Sequence, residues 1–171
     1  MAERISRDFY CRDVLEVAPA LLGMKLIRVM PGGMREVMVI SETEAYKGSD
    51  DLACHASKGL TPRNRIMFEQ GGYLYMYLVY GMHWMMNVVT GKAGDPQAVL
   101  LRGSKQVYGP GRLTKELCID GSFYGEDLHS SERIWIEGKN EKRRIGTGPR
   151  IGIEYAGDYW KNVPWRFYLL K

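Results

Sequence analysis

The sequence predicts an α+β fold: one domain over residues 1–171, with a curved, mainly antiparallel β-sheet and short flanking helices. The chain has 171 residues, 45% hydrophobic and 26% charged, which is enough apolar material for one sizeable core. Its β-like runs are short, and glycines separate many of them. Parallel neighbours would need crossover connections of about a dozen residues or more, so close runs favour antiparallel pairing.

The first expected element is a helix that Asp13 caps and that runs to Leu22, where Gly23 ends it; Pro19 should bend this helix or shift its start. A second helix is expected with Thr61 as its N-cap and Pro62 as its first residue. Strands are expected where apolar and β-branched residues run between turns. They cover residues 25–30, 36–46, 73–79, 85–90, 98–102, 133–137, 150–155 and 166–170.

Composition limits the function classes. The formal net charge of +4, with its basic excess concentrated after residue 133, permits a polyanionic partner. The three cysteines are far apart, so neither a disulfide framework nor a zinc site is expected. No apolar run approaches the roughly twenty residues of a membrane span, so we expect no membrane association and a cytoplasmic location.

Residues 72–87 contain an unusual row of tyrosines. Strand alternation places Tyr73, Tyr75 and Tyr77 on one face, and it leaves Tyr80 beside Gly81 at a turn. Tyrosine is common in half-buried strands, which is the ordinary explanation for any one of them. A ring at a tip can also wedge into a base stack, while rings in a neighbouring pocket hold the displaced base.

Two charged residues end predicted strands. Glu44 and Tyr46 should point to the same face, which suits a general base beside a stacking platform. Arg102 ends a buried-type strand and needs an anionic partner, for which Glu44 is the expected candidate. The polar group Arg63, Asn64 and Arg65 suits phosphate contacts, although a solvated helix face explains it nearly as well.

These segments, in this order, resemble the alkyladenine (3-methyladenine) DNA glycosylase family, also called N-methylpurine DNA glycosylases. The resemblance runs from about Leu21 to Tyr168 and rests on Glu-Thr-Glu-Ala-Tyr, His55, Thr-Pro-Arg-Asn-Arg, Tyr-x-Tyr-x-x-Tyr-Gly-Met, Asn87, Val-Leu-Leu-Arg and Gly-Pro-Gly-Arg-Leu. It implies a monofunctional enzyme that flips a damaged purine out of duplex DNA. The enzyme hydrolyses the N-glycosidic bond and leaves an abasic site for base excision repair. No cofactor and no metal are implied, and a monomer suffices.

The resemblance also implies roles for the pocket residues. Glu44 matches the general base, and Arg102 matches the arginine that helps hold the attacking water and the nucleotide's phosphate. Tyr46 matches the ring on one face of the flipped base, with His55 and Tyr77 on the other. Such an aromatic cage is expected to attract cationic bases, by about 0.5–2 kcal/mol.

Three further positions match the resemblance. Asn87 matches the residue that crowds the exocyclic amino group of guanine. Tyr80 matches the ring inserted through the minor groove, and Met82 matches the residue packed beside it. Because His83 and Trp84 depart from the family pattern, the preferred lesion stays open among 3-methyladenine, 7-methylguanine, hypoxanthine and ethenoadenine.

Other functions compete with this hypothesis. A non-catalytic DNA-damage binder would keep the flipping surface but would not need Glu44 together with Arg102. A carbohydrate or nucleoside hydrolase would explain a glutamate among aromatic rings but not Tyr80 at a tip. A lyase-type glycosylase would need a pocket amine, for which Lys47 is the sole candidate in these segments. A zinc deaminase would need Cys/His spacing that the chain lacks.

Overall fold

The computed structural model describes residues 2–171. Four α-helices, α1 to α4, span Arg7–Tyr10, Val14–Ala20, Pro110–Glu116 and Gly157–Asn162. Eight strands, β1 to β8, span Lys25–Val29, Arg35–Lys47, Leu74–Val79, His83–Thr90, Gln97–Ser104, Ile134–Glu137, Ile145–Gly148 and Arg166–Leu169. Four short 3₁₀-helices span His55–Lys58, Arg65–Phe68, Gly121–Phe123 and Glu154–Ala156.

Six of the eight strands form a curved sheet in the order β3-β4-β5-β2-β1-β6; β8 pairs with β2 and with β7, and every pairing is antiparallel. Strand β2 is the longest, with 13 residues. Its first part pairs with β1, and its second part pairs with β5 on one side and with β8 on the other. The register to β5 shifts at Glu42, where such an irregularity bends the strand. The predicted α+β class and antiparallel sheet are confirmed.

Strand β3 contributes side chains to two apolar clusters, the main core on one face and a second cluster next to the candidate site on the other. Leu74 and Met76 point into the main core with α2 and β2, whereas Tyr75 and Tyr77 point into a second apolar cluster. This follows from the period of two in a strand, which sends alternate side chains to opposite faces. The predicted common face of Tyr73, Tyr75 and Tyr77 is confirmed, since all three pack in the second cluster.

The first predicted helix is confirmed with a shorter end. Asp13 Oδ1 accepts a hydrogen bond from the Leu15 amide at 2.8 Å, as expected of an N-cap. Helix α2 ends at Ala20 rather than Leu22, and Gly23 follows with a φ of 82°. Pro19 lies in the last turn of α2, where it has no backbone N–H to donate to the Leu15 carbonyl.

Two element predictions are wrong. Residues 150–155 form no strand, because Gly152 adopts a φ of 75° and the Arg150 side chain turns into the interior. The strand nearest to that position is β7, which was not predicted because its two glycines give no alternation of apolar and polar side chains. No helix begins at Pro62 either: Thr61 Oγ1 accepts from the Asn64 amide at 3.2 Å in a separate turn, and a 3₁₀-helix starts at Arg65.

Among residues 2–171, no helix combines the length and the apolar character needed to cross a bilayer.

Candidate active site

A cavity of about 270 Å³ lies between β2 to β5 and the segment 149–155. Aromatic rings form much of its wall, and two polar side chains, those of Asn87 and Arg102, also line it. The His55 ring meets the Tyr77 ring at 4.5 Å between centroids, and the Tyr75 and Tyr77 rings lie 5.5 Å apart. The aromatic lining residues are Tyr46, His55, Tyr75, Tyr77, Tyr80 and Tyr155.

Glu44 lies just beneath this lining and is fully buried. Its Oε1 accepts a hydrogen bond from the Tyr46 hydroxyl at 2.9 Å, and its Oε2 accepts from the Ile151 amide at 2.7 Å. Burial raises the pKa of the carboxyl, while Arg102 and the two hydrogen bonds act in the opposite direction. The predicted common face of Glu44 and Tyr46 is confirmed. A carboxylate has about four acceptor sites, so it retains capacity for a water molecule.

Arg102 connects this carboxylate to the cavity wall. Its Nη1 is 3.7 Å from Glu44 Oε1, and its Nε is 3.5 Å from Glu42 Oε1. The expected pairing with Glu44 is therefore present, and Glu42 is a second anionic partner that the sequence did not indicate. The Nε group has no hydrogen-bond partner among the described residues. Glu42 is itself 3.2 Å from Arg166 Nη1, so the two carboxylates alternate with two guanidinium groups.

A buried ion pair fixes the rear of the site. Arg150 Nη1 and Nη2 donate to the two oxygens of Asp51 at 2.6 and 2.9 Å, and both side chains are fully buried. Arg150 also donates to the Ala45 carbonyl at 2.9 Å, and its guanidinium lies 4.8 Å from the Tyr46 ring centroid. The pair thus connects β2, the loop before His55 and the segment that carries Ile151.

The sequence hypothesis missed this pair. Arg150 fell inside a predicted strand, where an unpaired charge demands a partner just as Arg102 does. The need to pair this charge could have indicated a buried partner for Arg150, but Asp51 is 99 residues away along the chain and could not be identified from sequence. Tyr155 was also missed as a lining residue, since nothing in its local sequence distinguishes it from the other exposed tyrosines.

His55 is held as a neutral ring. Its Nδ1 is 2.8 Å from the Tyr75 hydroxyl, a partner that the sequence did not identify. Burial, together with the nearby positive charges of Arg63 and Lys58, lowers the His55 pKa to about 4. Burial also raises the Tyr75 pKa to about 12, so both groups are uncharged at neutral pH.

Asn87 lies in the cavity wall on β4. Its Nδ2 donates to the Tyr75 carbonyl at 3.1 Å and to the Met85 carbonyl at 3.4 Å, and the residue is buried. Because its amide protons bind these carbonyls, Asn87 can offer an incoming ligand only its oxygen. The side chain is fixed in place by strands β3 and β4.

Tyr80 stands at the tip of the β3–β4 hairpin, as predicted. The Met82 amide donates to the Val79 carbonyl at 3.1 Å, which closes a tight turn. Tyr80 and Gly81 have φ values of 53° and 67°, the signs found at both central positions of a type I′ turn. The side chains of Tyr80 and Met82 are 90% and 69% exposed, and the Tyr80 ring borders the cavity.

The polar group at residues 63–65 divides into surface and interior. Arg63 and Arg65 are exposed, with guanidinium groups 5.5 Å from the Tyr77 ring and 5.7 Å from the Tyr124 ring. Asn64 is buried, and its amide bonds to the carbonyls of His55 and Gly59 and to the Thr61 amide. Asn64 therefore organises the loop from inside, and the two arginines remain available to a polyanion.

No group of three or more His, Cys, Asp or Glu side chains within residues 2–171 is arranged to hold a metal ion. Lys47 is ion-paired with Asp13 at 2.8 Å and does not line the cavity. The available groups are thus a buried carboxylate, an adjacent guanidinium and a set of neutral aromatic rings.

Comparison with known proteins identifies the family. The model of the methylpurine-DNA glycosylase family matches residues 8–108 and 104–171. A relative from Methanocella arvoryzae is 42% identical, over 96% of this chain and 91% of its own length. Relatives from Desulfitobacterium hafniense and Legionella pneumophila (strain Corby) are 40% and 42% identical, over 98% and 97% of this chain and 95% and 94% of their own. All three are described as candidate 3-methyladenine DNA glycosylases. The chain belongs to the methylpurine-DNA glycosylase family, and it is a hydrolase that acts on N-glycosyl bonds in DNA.

Proposed function

We propose that the protein is a monofunctional DNA glycosylase that flips alkylated or deaminated purines out of duplex DNA. It hydrolyses the N-glycosidic bond with a water molecule that Glu44 activates, and it leaves an abasic site. The proposed lesions are 3-methyladenine, 7-methylguanine, hypoxanthine and ethenoadenine. One copy supplies every group that the reaction needs, so the proposed active form is a monomer.

The observation that carries this proposal is the position of Glu44 beneath an aromatic cavity whose rim bears Tyr80. Its carboxylate lies within 3.7 Å of Arg102, which lines the cavity. A binder of damaged DNA needs the aromatic cavity and the protruding ring. It does not need a buried carboxylate beside the cavity, and burying that anion costs desolvation energy.

Base flipping uses the exposed tip and the cavity together. Tyr80 and Met82 enter the duplex from the minor groove and take the place of the extruded nucleotide. The base stacks between Tyr46 on one side and His55 and Tyr77 on the other. The Asn87 side chain, fixed between β3 and β4, crowds the exocyclic amino group of guanine and so disfavours that base. Arg65 contacts the phosphate backbone, and Arg63, whose guanidinium lies over Tyr77, adds positive charge beside the cavity.

Bond cleavage uses Glu44 and Arg102. As the purine departs, positive charge develops on the sugar, and a nearby carboxylate stabilises that charge. Glu44 also orients a water molecule and accepts its proton, while Tyr46 and the Ile151 amide hold the carboxylate in place. Arg102 positions the water and the nucleotide's phosphate. Because water is the nucleophile, no Schiff base forms with the abasic sugar.

The test is single-turnover release of free base with enzyme in excess. The substrates are matched duplexes that carry hypoxanthine or ethenoadenine, together with methylated DNA. We expect Glu44→Gln to lower the rate by at least about 100-fold while binding to lesion duplexes is retained. A matched control is Glu42→Gln, which changes the other carboxylate beside Arg102 and leaves the proposed base in place; it should lose less activity.

Each outcome decides between functions. Loss of release with binding retained supports the general-base role. No release by the wild type from any substrate, with lesion binding intact, would favour the non-catalytic binder. Release of bases from free nucleosides as fast as from duplex DNA would favour a nucleoside hydrolase.

A further inference from the structure

Both rings proposed to stack on the flipped base already carry a guanidinium group. Arg150 Cζ is 4.8 Å from the centroid of Tyr46, and Arg63 Cζ is 5.5 Å from the centroid of Tyr77. The two tyrosines line the cavity and the two arginines do not. Each guanidinium therefore lies behind its ring as viewed from the cavity.

The positive charges of these two arginines are not equally neutralised by nearby carboxylates. Arg150 forms a bidentate buried pair with Asp51, which offsets its charge within 3 Å. Arg63 has no carboxylate within 4.0 Å among residues 2–171, and neither has Lys58, which lies on the same side of His55. Glu44, the anion nearest the cavity, is in turn offset by Arg102. The uncompensated charge behind the His55 and Tyr77 wall is positive.

A cation behind a ring changes what the front of the ring attracts. The face of an aromatic ring is electron-rich and attracts a cation on either side. A guanidinium on the rear face satisfies part of that attraction and repels a second cation on the front. His55 responds to the same charges, since Arg63 and Lys58 both oppose its protonation. A positively charged base in the cavity would meet the same field.

Building on the proposed function, we propose that Arg63 is a specificity-determining residue that disfavours cationic purines relative to neutral ones. In this assignment Arg63 reduces the attraction of the Tyr77 wall for 3-methyladenine and 7-methylguanine, which carry a positive charge. It leaves hypoxanthine and ethenoadenine, which are neutral, unaffected by that charge. This is the opposite of the charge preference expected from aromatic rings alone.

The size of the effect follows from Coulomb's law. A base stacked about 3.5 Å in front of Tyr77 would be about 9 Å from the guanidinium behind it. At effective dielectric constants between about 20 and 80, this separation corresponds to a roughly two- to twentyfold change in relative rate. The effect should decrease as salt rises, because Arg63 is exposed.

The experiment compares two lesions in duplexes of identical sequence, one with 7-methylguanine and one with hypoxanthine. Single-turnover rates are measured at saturating enzyme, and the ratio of the 7-methylguanine rate to the hypoxanthine rate is the readout. We expect Arg63→Gln to raise this ratio roughly two- to twentyfold. Arg63→Lys, which keeps the charge, should restore at least part of the wild-type ratio.

The matched control is Arg65→Gln. Arg65 is exposed in the same segment and carries the same charge, but its guanidinium lies over Tyr124, which does not line the cavity. In Arg65→Gln, the ratio of the 7-methylguanine rate to the hypoxanthine rate should stay at the wild-type value. The ratio separates charge discrimination from a backbone contact, because a lost phosphate contact lowers both rates alike.

Three results would overturn the inference while leaving the proposed function intact. They are an unchanged ratio in Arg63→Gln with both rates retained, an unchanged ratio with both rates lowered alike, or the same rise in the Arg65→Gln control. Failure of the wild type to release either base would instead contradict the proposed function itself.

Discussion

The amide of Ile151 donates a hydrogen bond of 2.7 Å to Glu44 Oε2, although 107 residues separate them in the chain. The proposed general base is thus held from two directions, by its own strand β2 and by the segment 149–153. The buried pair of Arg150 and Asp51 fixes that segment against β2. The geometry of Glu44 therefore depends on a contact that lies outside the cavity.

Replacing Arg150 should destabilise the fold and disturb the base together. Arg150→Met leaves Asp51 buried without its partner, which should lower the free energy of unfolding by about 3–5 kcal/mol. Urea denaturation measures this change. Lys161→Ala, which removes an exposed partner of Asp158, is the control and should leave the unfolding curve unchanged. Wild-type stability in Arg150→Met would show that the pair does not fix the rear of the site.

The pH dependence of base release should follow Glu44. Its pKa is raised above the usual 4.5, mainly by burial, so the carboxyl takes up a proton at a higher pH than a free glutamate. Release should therefore decline as pH falls through this raised pKa, and the acid limb should lie above pH 4.5. Single-turnover rates across pH give the limb directly.

A second variant separates Glu44 from His55. The His55 pKa is lowered to about 4, so this ring stays neutral through most of the range in which Glu44 titrates. His55→Gln should leave the position of the acid limb unchanged even where it reduces the rate. A limb that moves in this variant would assign the titration to His55 instead.

Asn64 and Arg65 are neighbours with different expected effects. Asn64→Ala removes the buried amide that binds two carbonyls and one backbone amide, which should lower the free energy of unfolding by about 1–3 kcal/mol. Arg65→Gln should leave stability unchanged and reduce the salt dependence of DNA binding by about one phosphate contact. Denaturation curves and binding titrations at several salt concentrations measure the two effects, and an exchange of the two phenotypes would reverse the assignments.

Removing the Tyr80 ring should weaken capture of the flipped state. Tyr80→Ala should lose about 1–3 kcal/mol of stacking energy, which ethenoadenine fluorescence in a lesion duplex can report. Tyr159→Ala is a suitable control because Tyr159 is 70% exposed but lies on α4 and does not border the cavity. Unchanged capture by Tyr80→Ala would remove this ring from the wedge role.

Local sequence patterns predicted the parts of the fold that depend on local physics. The Asp13 cap, the alternation of Tyr75 and Tyr77 and the turn at Gly81 all follow from rules that operate over a few residues. Strand β7 was missed because Gly146 and Gly148 provide no side-chain pattern. The helix expected at Pro62 failed because the Asn64 side chain closes a competing turn around Thr61.

The site was predictable only in part, for the same reason. Glu44 and Tyr46 are two residues apart, so strand geometry alone placed them together. Arg150 and Asp51 meet through the sheet topology, and neither residue has a neighbour in sequence that reveals the other. The placement of Tyr75 against His55 likewise depends on the loop that Asn64 holds.

The backbone of Tyr80 has a consequence for how the protein encounters DNA. A φ of 53° is unfavourable for a bulky residue, at a cost of about 1–2 kcal/mol, so the hairpin carries strain before any ligand arrives. Tyr80→Gly should therefore raise the melting temperature of the enzyme and weaken its hold on a displaced nucleotide. Because the closed turn already places Tyr80 at the tip, the backbone there needs little further ordering on contact. On the proposed flipping mechanism, we therefore expect damaged pairs that open easily to be captured before stable ones.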